Sequence, residues 1–206
     1  MKRKLLLAFL LAHLLGGVSY AQLVQSDSLF RRYYVGTSAF VTFNLLPIPN
    51  PPDFYQLNAG YWLTKRDVLS VEAITWTYRH PLGIPYGPDY ESDSLNYPGR
   101  VQAYGLGLAY QHFWWKGLYT QVHATPFLQK FKTTTGEGTK TGFQLFTVAR
   151  LGYHFAFWKN HFFIEPSVAC TYWPINTGVP EGFKRLDRKY PSYFLMEPGF
   201  HVGYKF

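Results

Sequence analysis

The stretch "MEPGFHVGYKF", residues 196–206, decides the fold, because large apolar residues alternate with small or polar ones up to its last position. Counting from residue 194, one face carries Phe194, Met196, Pro198, Phe200, Val202 and Tyr204, and the other carries Glu197, Gly199, His201, Gly203 and Lys205. A period of two is that of a β-strand. This strand needs an apolar environment on one side and a polar one on the other. Lipid outside and a polar interior would supply both.

The N-terminal segment has the three parts of a secretory signal peptide. Residues 2–4 are basic, residues 5–15 are apolar, and residues 19–21 form a small-x-small cleavage site. The apolar run is too short to span a bilayer. We therefore predict cleavage after Ala21, which leaves residues 22–206 as the folded domain.

Composition excludes several other classes of exported protein. Aromatic residues are 20% of the chain and charged residues 16%, yet no apolar stretch after the signal has the length of a membrane helix. A transmembrane barrel explains this composition, since lipid-facing and interior residues alternate. The single cysteine, Cys170, excludes an internal disulfide scaffold. No histidine or cysteine pair has metal-ligand spacing, so we expect no metal or other cofactor.

Eight segments are predicted as strands, and the connections between them fall into two groups. The segments are 33–43, 54–64, 68–79, 101–113, 117–131, 142–157, 161–173 and 192–206. Tight turns ("KRD", "WWK", "WKN") follow the second, fourth and sixth segments, and long loops follow the others. A sandwich with Greek-key crossings has no reason to sort its loops in this way. We predict an all-β fold, an eight-stranded antiparallel up-and-down transmembrane β-barrel.

Aromatic residues mark both ends of the predicted strands. Trp114, Trp115 and Trp158 lie beside short turns, and Tyr55, Trp173, Tyr190 and Tyr193 lie near long loops. Tryptophan and tyrosine favour the membrane interface, because the ring is apolar and its polar atom still reaches water. We expect these residues to form two interfacial girdles.

If each strand turns the face with its charged residues inward, the barrel has a charged interior. The predicted interior network consists of Glu72, His123, Arg150, Glu165, Glu197, His201 and Lys205. Turning Glu72 inward also turns Ile74 and Trp76 inward, so the third strand is the least regular. An eight-stranded barrel is just wide enough for side chains to fill it. We expect a packed network of compensating charges in place of an open pore.

Prolines interrupt three of the predicted strands. Pro126, Pro166 and Pro198 each remove a donor from the ladder. Proline in a sheet normally marks a bulge or an edge. Either bulges occur at these positions or the assigned registers slip by one residue.

The long loops carry opposite charges. The loop from residue 80 to 100 is acidic and rich in tyrosine. The loop from residue 174 to 191 contains a basic cluster: Lys184, Arg185, Arg188 and Lys189. The two loops could pair across the barrel mouth, the basic cluster could bind lipopolysaccharide phosphates, or the charges could simply be solvated. A pI near 9.5 in an exported chain favours anionic lipid over nucleic acid as a partner.

The signal peptide, the sorted loops and the final "GYKF" resemble the small eight-stranded outer-membrane barrels of the OmpA transmembrane domain and OmpX type. This resemblance implies a Gram-negative outer membrane and insertion by the barrel-assembly machinery. With short turns on the periplasmic side, both termini are periplasmic. We expect a monomer in contact with outer-membrane lipids and no nucleic-acid partner.

The expected function is a structural or surface-interaction role, in adhesion or membrane integrity, through the extracellular loops. A narrow, porin-like channel for ions or small apolar molecules is one alternative. A lipid A-modifying enzyme is the other, and a deacylase would need a serine, a histidine and a carboxylate on the lipid-facing wall near the outer leaflet. His80 lies at that rim without a nearby serine in suitable spacing, so we expect no catalytic site.

Overall fold

The computed structural model describes residues 30–47, 52–79, 99–133, 135, 137–188 and 190–206. The predicted signal peptide, most of the acidic loop and Lys189 lie outside these ranges. The strands are β1 (Tyr33–Ser38), β2 (Tyr55–Trp62), β3 (Asp67–Arg79), β4 (Arg100–Trp115), β5 (Leu118–Lys132), β6 (Gly138–Tyr153), β7 (Phe155–Phe157), β8 (Phe162–Thr177) and β9 (Tyr193–Lys205). The helices are a 3-10 helix (Ala39–Leu45) and α1 (Glu181–Asp187). Within the described ranges, neither is long and apolar enough to cross a membrane.

The strands form one closed antiparallel ring. Their order is β6-β5-β4-β3-β2-β1-β9-β8-β7, and pairing of β6 with β8 closes the ring. β6 and β7 both pair with β8 and are separated by one residue, so they act as one interrupted strand. The ring therefore has eight strands, and the prediction of an up-and-down barrel is confirmed. The short turns lie at one end and the long loops at the other.

Pro166 accounts for the break between β6 and β7. The β8 ladder pairs Ser167 with Gly152 and then Ile164 with Phe155, in an unchanged register. Pro166 lies between these two pairs and has no N–H to donate. The sequence predicted one continuous strand over residues 142–157, which is wrong at His154. Pro126 similarly coincides with a gap in the β4–β5 ladder without a register shift.

The first strand is shorter than predicted. It ends at Ser38, whose hydroxyl accepts a hydrogen bond from the Phe40 N–H, and residues 39–45 form the 3-10 helix instead of continuing the strand. The side chain of Asn44 fixes this helix, because it donates to the Phe54 carbonyl (2.7 Å) and accepts from the Phe54 N–H (2.8 Å). Beyond Ser38, β9 therefore has no strand partner on its β1 side.

A bulge in β9 changes which residues face inward. Two residues of β9, Leu195 and Met196, lie opposite one residue of β8, and Met196 has a positive φ of 61°. Beyond this bulge the alternation reverses, so Phe194 lies opposite the buried Thr171. Phe194 was predicted to face lipid, and that prediction is wrong. Pro198 lies next to the bulge, on the part of β9 that extends past β1.

Most strands alternate as their charges predicted. Large apolar side chains on the outer face are exposed, among them Leu57, Val71, Leu106, Leu108, Val122, Leu128 and Leu151. On the inner face of β3, Glu72 is buried and Ile74 and Trp76 pack against the apolar core, as expected. Trp173 is a correction: it is 4% exposed and lies inside the barrel, whereas a girdle position was predicted. Tyr55 and Tyr193 are exposed near the long-loop end.

Candidate functional site: the barrel interior and its two rims

A hydrogen-bonded chain of three ionisable side chains occupies the interior near the short turns. Lys205 donates to Nε2 of His154 (3.0 Å), and Nδ1 of His154 lies 2.7 Å from Oε1 of Glu165. Lys205 also donates to Asn160 in the adjacent turn, and Gln111 donates to Glu165 (3.1 Å). The ends of β6, β8 and β9 that lie at the short-turn side bring these three side chains together.

The bonding pattern fixes the tautomer of His154. A lysine ammonium group only donates, so Nε2 of His154 must accept, and Nδ1–H must donate to Glu165. The imidazole is then neutral between a cation and an anion. Because Lys205 occupies its free lone pair, His154 is not available as a general base. The arrangement balances charge, and Glu165 and Lys205 were both predicted to belong to the interior network.

Arg150, Glu72 and Glu197 form a second part of the interior, nearer the middle of the barrel. Glu72 accepts hydrogen bonds from Gln56 (2.7 Å) and Thr125 (3.0 Å). The guanidinium of Arg150 donates to the hydroxyl of Ser167 (2.8 Å), and its charge acts on both carboxylates.

None of the three described interior carboxylates forms an ion pair with Arg150. The sequence predicted compensating charges, but in the structure Arg150 and Glu72 bond to different neutral side chains, and the guanidinium acts on the carboxylates at longer range. A Cβ on Gly199 would collide with the Arg150 guanidinium. The glycine therefore leaves the space that the arginine occupies.

The two remaining predicted residues, His123 and His201, also lie inside. Both line a small cavity of about 20 Å³ together with Glu72 and Glu165. That volume suits about one water molecule. His201 is the register partner of Glu165 across β8 and β9. All seven predicted interior residues therefore lie inside the barrel, and no group of three or more potential metal ligands occurs in the described residues.

An apolar cluster fills the interior on the long-loop side. It contains Tyr78, Val101, Ala103, Phe127, Phe131, Phe146, Val148, Ala169, Trp173, Val179 and Phe183. Trp76 packs against this cluster, with its ring stacked 6.5 Å from that of Phe127. A Cβ on Gly105 would come within 2.6 Å of the Phe127 ring, so the glycine makes room for the phenylalanine. Buried polar side chains also occur in this half, where Gln129 donates to the Tyr78 hydroxyl (2.7 Å).

Helix α1 closes the mouth of the barrel and carries part of the predicted basic cluster. Phe183 is 3% exposed and packs edge-on against Phe131, with 5.0 Å between ring centroids. On the exposed face, Lys184 and Arg188 pair with Glu181 at 3.1 Å and 3.3 Å. Arg185 is exposed on the same helix, and Lys189 lies outside the described residues.

An outward-facing pair at the short-turn rim was missed by the sequence interpretation. Asp67 lies 2.8 Å from Nδ1 of His112 and accepts hydrogen bonds from Thr64 (2.5 Å) and Tyr110 (2.6 Å). These bonds, that from Thr64 foremost, hold the pKa of Asp67 below its ordinary value. The pairing of Asp67 with His112 in the β3–β4 register brings the groups together. Aligning the "KRD" turn with "YQHF" would have indicated it.

Comparison with known proteins gives a structural similarity without a sequence relationship. No protein-family model matches the chain, and no curated protein is significantly similar to it. Among solved structures, the crystal structure of Acinetobacter baumannii CarO2 is similar, with a TM-score of 0.38 and 10% sequence identity. The alignment covers 85% of this chain and 97% of that chain.

Proposed function

We propose that this protein is an integral outer-membrane β-barrel with a structural or surface-interaction role, performed through its long extracellular loops. In this orientation the short turns and both ends of the described chain are periplasmic. The proposal assigns the barrel neither conduction nor catalysis. The filled interior is the observation that carries it.

The outer surface supports a membrane environment. Leu57, Leu106, Leu108 and Val122 are 56–69% exposed on the outer face of neighbouring strands. A continuous apolar belt of this kind is unfavourable in water and is favoured next to acyl chains. Closing the ring also pairs most of the strand edges, which matters in lipid, where an unpaired backbone group costs several kcal/mol.

The interior supports a role without conduction. The apolar cluster fills the long-loop half, and the polar layer below it contains a cavity of about one water molecule in volume. Helix α1 adds a further closure, because Phe183 is inserted into the mouth. An ion would have to displace packed aromatic rings in order to pass.

Two measurements on the full chain test this proposal. Purified protein should insert into lipid vesicles and migrate faster in gels before heating than after it. In planar bilayers it should give no single-channel currents. Recovery as a soluble protein without detergent would contradict the membrane assignment. Regular current steps that disappear without the protein would favour the narrow channel.

The loop partner that we propose is lipopolysaccharide, bound through the basic cluster. Lys184 and Arg185 lie on α1, and Arg188 directly follows it at the long-loop rim. Lys184 and Arg188 already share Glu181, but exposed ion pairs of this kind are weak and exchange readily. Several cations set close together suit the phosphates of lipid A.

Charge-matched variants test the lipopolysaccharide proposal. Changing Lys184, Arg185 and Arg188 to glutamine should weaken binding of lipopolysaccharide micelles. Changing Lys130, Lys132 and Lys140 to glutamine removes the same charge from the same end and should have less effect. Equal loss in both variants would indicate attraction by net charge alone. Unchanged binding in the first variant would leave the cluster merely solvated.

A further measurement tests the assignment as a protein without catalytic activity. Lipid A extracted from cells with and without the gene should have the same masses. A mass shift matching the loss or gain of an acyl chain would favour the lipid A-modifying enzyme.

A further inference from the structure

The short-turn rim combines exposed tryptophans with lysines. Trp115 and Lys116 occupy the β4–β5 turn, and Trp158 and Lys159 occupy the β7–β8 turn. Both indoles are largely exposed, at 64% and 70%, and Nζ of Lys116 lies 4.5 Å from the centre of the Trp115 ring. Each turn therefore presents an apolar ring and a cation side by side.

The rim as a whole is basic. Its cationic side chains are Arg31, Arg32, Lys65, Arg66, Lys116 and Lys159. Among the described residues, Asp67 supplies the one side-chain carboxylate on the outer surface of this rim, and it is already bonded to Thr64, Tyr110 and His112. Cationic side chains therefore outnumber side-chain carboxylates among the described residues of this rim.

Both turns contain non-glycine residues in the left-handed region of the backbone. Lys116, Trp158, Lys159 and Asn160 all have positive φ, between 50° and 65°. Glycine or asparagine adopts this region with less strain than tryptophan or lysine. Asn160 is accounted for by its bond to Lys205. Residual strain at non-glycine positions is common at functional surfaces.

The rim continues directly into the apolar outer surface. Phe162, which follows the β7–β8 turn, is 38% exposed and packs edge-on against Trp158, with 4.7 Å between ring centroids. A partner at this rim therefore meets a cation, an indole and the apolar surface that begins at Phe162 in succession. A lipid presents the complementary phosphate, glycerol and acyl regions in the same order.

We propose that the short-turn rim binds anionic glycerophospholipid, with the phosphate held by Lys116 and Lys159 and the glycerol region placed against Trp115 and Trp158. This inference rests on the proposed membrane location and specifies the lipid class at the periplasmic rim. It differs from the lipopolysaccharide proposal in both the end of the barrel and the ligand.

Native mass spectrometry of the full chain tests this inference. The protein is released from mixed micelles of phosphatidylcholine and phosphatidylglycerol, and the retained lipids are counted. The natural sequence should retain phosphatidylglycerol preferentially. The double variant Lys116→Gln with Lys159→Gln should lose roughly fivefold in that preference for each lysine. The matched variant Lys130→Gln with Lys140→Gln should keep it.

Two further experiments distinguish loss of lipid binding from a folding defect and from binding of phosphate alone. Lys116→Arg with Lys159→Arg keeps the charge and should retain phosphatidylglycerol, which excludes a simple folding defect. Glycerol phosphate at the same phosphate concentration should not displace the lipid. No preference in the natural sequence, or equal loss in both glutamine variants, would overturn the inference. Vesicle insertion and the gel shift, measured on the same samples, report separately on the membrane location.

Discussion

The two halves of the barrel interior are filled by different means. On the long-loop side, Phe127, Phe146 and Trp173 pack against one another, and the buried neutral side chain of Gln144 is the register partner of Phe127. On the short-turn side, Glu165 and Lys205 are buried with His154 between them. The same strands build both halves, so the difference comes from side chains alone. The short-turn side also has a buried apolar cluster, in which Trp62 stacks on Phe113, so the two halves differ in whether they hold buried charge and not in whether they hold aromatic rings.

The apolar layer and the charged layer respond differently when one side chain is removed. An apolar layer that loses a ring keeps a cavity, because packed neighbours relax only partly. A charged layer that loses one partner leaves the other buried without compensation. The polar layer already borders a cavity that suits water, so solvent can offset part of that loss.

The largest effect should come from the apolar half. Trp173→Ala should lower the free energy of unfolding by about 4 kcal/mol, because an almost fully buried indole is removed. Tyr172→Ala, at the neighbouring outward position, should cost much less. Urea unfolding in lipid vesicles, followed by the gel shift, measures both. Equal losses would mean that Trp173 does not pack as described.

A somewhat smaller loss should follow removal of Glu165. Glu165→Ala leaves Lys205 buried without its anion, and the expected cost is about 3 kcal/mol, at the lower end for a broken buried pair. Glu165→Gln keeps a hydrogen-bond acceptor for His154 and should be less damaging. The same unfolding assay applies. A loss larger than that of Trp173→Ala would reverse the order proposed for the two halves.

Arg150 should contribute less than Glu165, because its guanidinium donates to the neutral hydroxyl of Ser167, whereas Glu165 is bonded into a chain that ends at the buried Lys205. Arg150→Ala should cost about 1 to 2 kcal/mol, through the lost bond to Ser167 and the lost charge near Glu72 and Glu197. Arg150→Lys keeps the charge and should recover part of this. Unchanged melting and gel mobility in Arg150→Ala would remove Arg150 from the network.

The smallest effect concerns Asp67 at the rim, outside both interior halves. Its folded pKa lies below the unfolded value, so its contribution is present above the unfolded pKa and declines as pH falls through the folded pKa. Asp67→Asn should therefore be less stable than the natural sequence near neutral pH. The difference should shrink below about pH 4. A constant difference between the two proteins across this range would exclude a role for carboxylate ionisation.

Much of this interior was predictable from alternation and charge. Every second residue of β8 from Glu165 to Trp173 faces inward. The alternation that placed Glu165 inside therefore also predicts burial of Trp173, which conflicts with its assignment to the girdle. Phe194 was not predictable in this way, because the bulge at Met196 reverses parity without a clear sequence marker. The 3-10 helix at 39–45 was missed since its apolar residues also fit a strand.

Hydrogen bonds across the ring required the register and could not be read from one strand at a time. Lys205 on β9 is 51 residues from His154, which lies between β6 and β7, and Glu165 is on β8. Their inward phase was predicted, but not which of them would meet. The Asp67–His112 pair likewise depends on the β3–β4 alignment.

The short first strand bears on how the ring is completed. β1 and β9 share five register pairs, whereas β3 and β4 share thirteen. The β1–β9 junction also joins the strands that are most distant along the chain. Its contacts therefore have the largest sequence separation, and forming them has the largest entropic cost of loop closure. A curved open sheet should therefore form before the cylinder. In native-state hydrogen exchange, the amides of residues 34–38 should open at lower free energy than those of β4 and β5.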